Sequence, residues 1–112
     1  MPDAPVIEGD CLEFLSAKSD QFADLVYVDP PFFTQKQHNL TIKDRSRTFS
    51  FSDLWDSHDK YDRFLFDRLQ ACRRVMKPTT SLYFHCDRNA VHVARMILDE
   101  VFGVDNFRSE II

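Results

Sequence analysis

The apolar positions along the chain predict three β-strands. Residues 6–8 are a short candidate, and residues 25–28 form an unbroken apolar run, the pattern of a strand covered on both faces. Pro30 and Pro31 end that run, because proline has no N–H to contribute to a β-ladder. A third strand is predicted over residues 82–86.

Helices are predicted between these strands. Asp10 is suited to cap a short helix that ends near Ser16. Apolar residues recur at helical spacing over residues 57–76, which predicts a long amphipathic helix. A last helix is predicted to begin at Asp87 and to stop at Gly103, since glycine is common at the position just after a helix end.

Strands that alternate with helices predict an α/β fold built from parallel β-α-β units. In such sheets, ligands bind beyond the carboxyl ends of the strands. An acidic residue follows each predicted strand: Asp10, Asp29 and Asp87. The topology therefore predicts that these three carboxylates share one functional edge of the sheet.

Composition limits the class of protein. The length of 112 residues fits one domain, and the net charge of −4 argues against a domain that grips DNA alone, since Lys and Arg contacts to phosphate supply most non-specific affinity. Three widely spaced cysteines give no disulfide framework, which fits a reducing compartment. With no apolar run of membrane-spanning length and no leader segment, we expect a cytoplasmic protein without a membrane partner.

The tetrapeptide Asp29-Pro30-Pro31-Phe32 has the clearest chemical content. The exocyclic amine of adenine or cytosine is a poor nucleophile, because its lone pair is delocalised into the ring. The Asp29 carboxylate and the Pro30 carbonyl could both accept hydrogen bonds from such an amine, and the two prolines hold the backbone fixed. Phe32 offers a flat face on which an extruded base could stack. A simple turn that ends a strand is the alternative interpretation.

The chain carries a series of separated motifs. In order they are IEGDCLEFL (7–15), DPPF (29–32), FSDLW (51–55), RRVMKPT (73–79), SLYFHCD (81–87), VFG (101–103) and FRSEII (107–112). Together they resemble the N6-adenine/N4-cytosine DNA methyltransferases over nearly the whole chain. The order resembles the class in which the target-amine motif precedes the cofactor motif. The resemblance implies that residues 1–112 are the amino-terminal part of a Rossmann-like fold, with about three parallel strands and flanking helices.

The same resemblance implies S-adenosylmethionine as cofactor and double-stranded DNA with a flipped base as partner. The positions that match the catalytic motif are Asp29, Pro30, Pro31 and Phe32. The positions that match cofactor contacts are Asp10, Cys11 and Asp29. For Asp10, a helix cap is an equal alternative to a cofactor contact. His85 and Asp87 are interpreted as residues that orient the same edge.

Two features depart from the family's pattern. Thr80 stands where similar proteins have glycine, whose wider backbone freedom threonine lacks, so we expect a less stable turn. The Phe-x-Gly-x-Gly loop that binds the cofactor's methionine part in this class has no counterpart, because Gly9 and Gly103 are the only glycines. The resemblance therefore implies weak or no cofactor binding by the isolated chain, and a complementing carboxyl-terminal half or second chain.

Residues 33–56 are predicted to form a long polar loop, mobile in the free chain. Its basic residues, which we expect to contact nucleic acid in a complete enzyme, are Lys36, His38, Lys43, Arg45 and Arg47. A mobile solvated loop without that role is the alternative. We expect no metal site, because His85 and Cys86 are adjacent in a strand and point to opposite faces.

The resemblance implies a site-specific DNA methyltransferase of the restriction-modification type, with adenine N6 favoured over cytosine N4. Methyl transfer is expected to be direct, without a covalent enzyme intermediate, and the isolated chain is expected to be inactive. One alternative is a non-catalytic remnant or interaction module that retains the fold. Another is a methyltransferase that acts on RNA or on a protein amide.

Overall fold

The computed structural model of the chain describes residues 5–31, 37–41, 48–52 and 58–112. Side chains are described within 5–31 and 60–112. In chain order, the elements are α1 (Cys11–Ser16), β1 (Ala23–Val28), β2 (Gln37–Thr41), β3 (Thr48–Ser52), α2 (His58–Val75), β4 (Met76–Phe84), α3 (Val91–Phe102) and a short 3-10 helix (Val104–Asn106). The α/β class predicted from the sequence is confirmed.

Strands β1 and β4 form a parallel sheet, and α2 connects them as the predicted β-α-β unit does. The register pairs Val26 with Leu82 and Val28 with Phe84. The backbone N–H of His85 then donates to the Val28 carbonyl at 2.8 Å, which extends the pairing by one residue beyond β4. The carboxyl ends of both strands therefore lie side by side.

The core lies between α2, α3 and one face of this sheet. Its buried residues are Tyr61, Leu65 and Leu69 of α2 together with Ala90, Ile97 and Val101 of the α3 region. Leu82 and Phe84 of β4 pack against this cluster. The helical spacing over residues 57–76 thus predicted the face of α2 that is buried.

The opposite face of the sheet is bare. Leu25 and Tyr27 are 64% and 66% exposed, and Tyr83 on the neighbouring strand is half exposed. Parallel strands are normally covered on both faces, as the apolar run over residues 25–28 also predicted. In the part of the chain that the structure describes, β1 and β4 are covered on one face.

Residues 6–8 do not form the predicted first strand. Val6 is fully exposed, and within residues 5–31 and 58–112 no ladder hydrogen bond reaches this segment. A strand exists only when a neighbour satisfies its backbone groups, and apolar content cannot supply that neighbour. Among the described residues the parallel sheet therefore has two strands, and the expectation of about three was wrong.

The predicted loop over residues 33–56 contains an antiparallel hairpin. Its strands are β2 and β3, with His38 opposite Phe51 and Leu40 opposite Phe49. The polar composition of the segment concealed it, because ladder hydrogen bonds are made by the backbone whatever the side chains are. The alternation of Thr, Phe and Ser over residues 48–52 is the period-two signal that indicates the second strand.

The helix ends follow local signals. The backbone N–H of Ala90 donates to the Asp87 carboxylate at 3.1 Å, so Asp87 stabilises the turn before α3, which begins at Val91 and not at Asp87 as predicted. Gly103 follows α3 with a φ of 88°, and its N–H donates to the Asp99 carbonyl at 2.8 Å. The predicted glycine stop is confirmed. In the described part of the chain, no helix has both the length and the apolar character needed to cross a membrane.

Thr80 fastens the start of β4 to β1. The register passes from the pair of Ala23 and Met76 to the pair of Leu25 and Ser81, so residues 77–80 bulge out of the ladder. The Thr80 hydroxyl donates to the Ala23 carbonyl at 2.5 Å and accepts from the Lys77 N–H at 3.0 Å. The expectation that threonine weakens this turn overlooked its hydroxyl, which satisfies two backbone groups.

We predict that Thr80→Ala lowers the free energy of unfolding by about 1–3 kcal/mol, because two hydrogen bonds are lost. Urea unfolding followed by circular dichroism measures the change. Thr80→Ser keeps the hydroxyl and should recover most of the loss, and Thr79→Ala, at the exposed neighbouring position, should be nearly neutral. Equal stability of Thr79→Ala and Thr80→Ala would contradict this role.

Candidate active site

Two segments meet where the parallel strands end. Asp29-Pro30-Pro31 follows β1, and His85-Cys86-Asp87 follows β4. Because β1 and β4 are parallel neighbours in register, both segments leave the sheet at the same edge. The sequence predicted this edge for Asp29 and Asp87, and the structure places the segments that carry them side by side.

Asp29 and His85 are paired across this edge. The imidazole Nδ1 of His85 lies 3.1 Å from Oδ1 of Asp29. The side chain of His85 is 53% exposed and that of Asp29 is 59% exposed, so the carboxylate faces an open edge. Among the described residues, no donor reaches the other carboxylate oxygen, Oδ2. Oδ1 of Asp29 is thus engaged by His85, while Oδ2 is accessible to a donor on another molecule.

Tyr61 anchors the Pro-Pro turn to the core. Its ring is fully buried among α2 and α3, and its hydroxyl donates to the Pro31 carbonyl at 2.9 Å. Within residues 5–31 and 60–112, no donor reaches the preceding carbonyl, that of Pro30. The sequence placed Tyr61 only within the predicted amphipathic helix over residues 57–76. The signal it left unused is that a buried tyrosine hydroxyl needs a hydrogen-bond partner.

Asp10 is the N-cap of α1, as one of its two predicted roles required. Its carboxylate accepts from the Leu12 N–H at 3.0 Å and from the Arg68 guanidinium at 2.6 Å. The Leu12 hydrogen bond, and then Arg68, lower the pKa of this carboxyl below its ordinary value. Arg68 lies about two helical turns beyond Tyr61 on α2. The described residues before Asp10, 5–9, form no strand, so the structure does not support its predicted place on the edge with Asp29.

Several predicted site residues lie outside what the structure describes. Phe32, Lys36, Lys43, Arg45 and Arg47 are outside the described residues. For His38 the structure describes only its position in β2. The proposed stacking and nucleic-acid contacts of these residues remain predictions.

Cys86 is the thiol at this edge, and its environment disfavours the thiolate. Burial is the largest cause that raises the pKa of the Cys86 thiol, and the negative charges of Asp87 and Glu110 raise it further. Burial also raises the pKa of Cys72, in α2, to about 11. Since the thiolate is the nucleophilic form of cysteine, neither group is suited to a covalent intermediate at neutral pH.

The described residues do not by themselves fit a whole S-adenosylmethionine molecule. Cys11 lies at the start of α1, in an open hollow of about 260 Å³ whose other lining residues are Pro5, Ile7, Gly9 and Phe14. Each carboxylate oxygen of Asp10, beside this hollow, already accepts a hydrogen bond. A ligand pocket normally encloses most of its ligand's surface, which this hollow does not. At the strand-end edge, Asp29 Oδ2 and the Pro30 carbonyl accept from no donor among the described residues, which suits them to an amine.

Comparison with known proteins decides the family. The family described as DNA methylase matches residues 23–112, most of the chain, including the Asp-Pro-Pro segment and both parallel strands. The chain belongs to the DNA methylase family. The predicted resemblance is thereby confirmed.

Two curated relatives support the assignment. The type II methyltransferase M.HinfI of Haemophilus influenzae is 31% identical over 81 residues, covering 70% of this chain and 23% of the relative. The type II methyltransferase M.KpnI of Klebsiella pneumoniae is 30% identical over 101 residues, covering 90% of this chain and 24% of the relative. The chain thus spans about a quarter of the length of the curated relatives it matches.

We predict that Tyr61→Phe lowers the free energy of unfolding by about 0.5–1.5 kcal/mol, the net value of one hydrogen bond. The ring still fills the core, so the loss reports on the hydroxyl, which donates to the Pro31 carbonyl. Urea unfolding measures it, with Tyr83→Phe on the exposed sheet face as the matched control. The anchoring role is wrong if the two variants are equally stable.

Proposed function

We propose that this chain is the amine-binding part of a DNA methyltransferase that modifies an exocyclic base nitrogen, with adenine N6 favoured over cytosine N4. The observation that carries the proposal is the accessible Asp29 carboxylate beside a Pro30 carbonyl that has no donor among the described residues. Membership of the DNA methylase family supports the same substrate class. The preference for adenine rests on the aspartate in the first position of the motif.

The two acceptors suit the two N–H groups of one base amine. An N–H donating to Asp29 and another donating to the Pro30 carbonyl would draw the amine lone pair out of conjugation with the ring. Tyr61 and the proline rings hold the acceptors in place before the base arrives, so little reorganisation accompanies binding. S-adenosylmethionine, when bound to the complete enzyme, supplies the electrophilic methyl group. Phe32 is proposed to stack on the flipped base.

DNA contact is proposed for the basic residues around the hairpin. Their charge is local, in a chain whose net charge is −4. Positive side chains that follow the phosphate backbone suit a segment next to a flipped base. The residues proposed for this contact are Lys36, His38, Lys43, Arg45 and Arg47.

We predict that Asp29→Ala lowers methyl transfer to DNA by at least roughly 100-fold, because one of two fixed acceptors is lost. The assay follows label from S-adenosylmethionine into DNA, with the chain mixed with a downstream polypeptide that carries a Phe-x-Gly-x-Gly loop. Asp24→Ala, at the other end of β1, is the matched control and should retain activity. RNA and protein amides in the same assay test the alternative substrates.

Activity that survives Asp29→Ala would contradict the catalytic assignment. A preparation that binds its partner polypeptide but transfers no methyl group to any of these substrates would favour the non-catalytic alternative.

A complementing polypeptide is the second part of the proposal. The bare sheet face, defined by Leu25, Tyr27 and Tyr83, supports it, because a parallel sheet is stable when both faces are covered. The chain covers about a quarter of its curated relatives, so the polypeptide that corresponds to the remainder is the natural occupant. It would also supply the cofactor contacts that the described residues lack.

We predict that Tyr27→Glu weakens binding of the complementing polypeptide by roughly 10-fold or more, since a large aromatic side chain can no longer be buried. Isothermal titration calorimetry gives the dissociation constant. Met96→Glu is the control, because Met96 is equally exposed but lies on α3, away from the bare face. Equal weakening by both substitutions, or by neither, would contradict this docking face.

A further inference from the structure

His85 is held to β1 by two contacts with consecutive residues. Its backbone N–H donates to the Val28 carbonyl at 2.8 Å. Its ring Nδ1 lies 3.1 Å from Oδ1 of Asp29, the residue directly after β1. The backbone hydrogen bond fixes the position of the His85 backbone, and from there the imidazole ring reaches the Asp29 carboxylate. Sheet register, and not chance proximity, thus sets the pair.

The pair has a defined direction. A carboxylate only accepts hydrogen bonds, so the Nδ1 atom of His85 must carry the proton. In a neutral imidazole one nitrogen is the donor and the other the acceptor, and the partner of one nitrogen sets the tautomer. The geometry therefore requires the Nδ1–H tautomer of His85 whenever the ring is neutral.

We infer that His85 is a positioning residue that donates Nδ1–H to Oδ1 of Asp29 and so presents Oδ2 to the target amine. This inference rests on the proposed function of Asp29. The Asp29 side chain is more than half exposed, so without His85 the carboxylate rotates and offers either oxygen in many directions. A single fixed orientation brings the acceptor closer to the geometry that transfer needs.

The first test examines the hydrogen bond in the chain itself. Long-range proton–nitrogen correlation spectra of the ¹⁵N-labelled chain, recorded at a pH where the rings are neutral, report the tautomer of each histidine. We expect the Nδ1–H tautomer for His85, and the Nε2–H tautomer once Asp29→Ala removes the acceptor. The ring of His92 on α3 and the variant Asp24→Ala serve as controls and should not change.

An Nε2–H tautomer of His85 in the unsubstituted chain would overturn the inference. So would the same tautomer in the presence and absence of the Asp29 carboxylate.

The second test measures methyl transfer in the same mixture that tests Asp29. Asparagine places an amide N–H where His Nδ1 lies, whereas glutamine places it where Nε2 lies. We expect His85→Asn to keep kcat within about threefold, and His85→Gln to lower kcat by roughly 10- to 100-fold, as loss of an orienting partner does. KM for DNA should change by less than about twofold in both, because the lost interaction acts on the reacting amine and not on DNA binding.

Equal kcat values for the asparagine and glutamine variants would overturn the positioning role. The two proposals fail in different ways. If Asp29→Ala remains active, the proposed function fails. If Asp29→Ala is inactive and His85→Gln is fully active, only the role of His85 fails. Because His85 is half exposed, all variants should keep the unfolding midpoint of the original chain.

Discussion

The parallel register of β1 and β4 is the constraint on which the rest of this structure depends. It pairs Val28 with Phe84 and lets the His85 N–H bond to the Val28 carbonyl. A shift of one residue would turn each side chain of β4 to the other face of the sheet and would separate the His85 ring from Asp29. Thr80 secures the start of the pair and Tyr61 secures the turn that follows it. The strand pair is therefore held at its start by Thr80 and beyond its carboxyl end by Tyr61.

Among the described residues, the strand ends have available hydrogen-bond acceptors, whereas the carboxylate near α1 is already engaged. At the strand ends, a carboxylate and a carbonyl remain available, an arrangement suited to an amine. Near α1, the Asp10 carboxylate is engaged by Leu12 and Arg68, and the adjacent hollow is open. Leu25 and Tyr27 are exposed on the bare sheet face, which supports the proposed complementing polypeptide. These features agree with a chain that contributes an amine site to a larger assembly.

The sequence predicted what depends on local pattern. The Asp10 cap, the buried face of α2, the glycine stop at Gly103 and the Asp-Pro-Pro segment at a strand end all follow from signals within a few residues. Family membership could be predicted from the order of the motifs. Each of these signals is carried by residue types whose backbone or hydrogen-bonding preferences are strong.

The sequence did not predict what depends on a distant partner. Residues 6–8 have strand-like composition but no neighbouring strand in the part of the chain that the structure describes. Strands β2 and β3 pair through backbone groups that composition does not reveal. The contacts from Tyr61 to Pro31 and from Thr80 to Ala23 join residues 30 and 57 positions apart. The Asp29–His85 pair needs the register of the sheet, which became known only with the fold.

The central claim is that Asp29 and Pro30 receive one base amine, and a crystal structure of the chain assembled with its complementing polypeptide and a target duplex tests it most directly. The account predicts a flipped base whose exocyclic nitrogen lies about 3 Å from a carboxylate oxygen of Asp29 and from the Pro30 carbonyl oxygen. A flipped base whose amine contacts neither atom would contradict it.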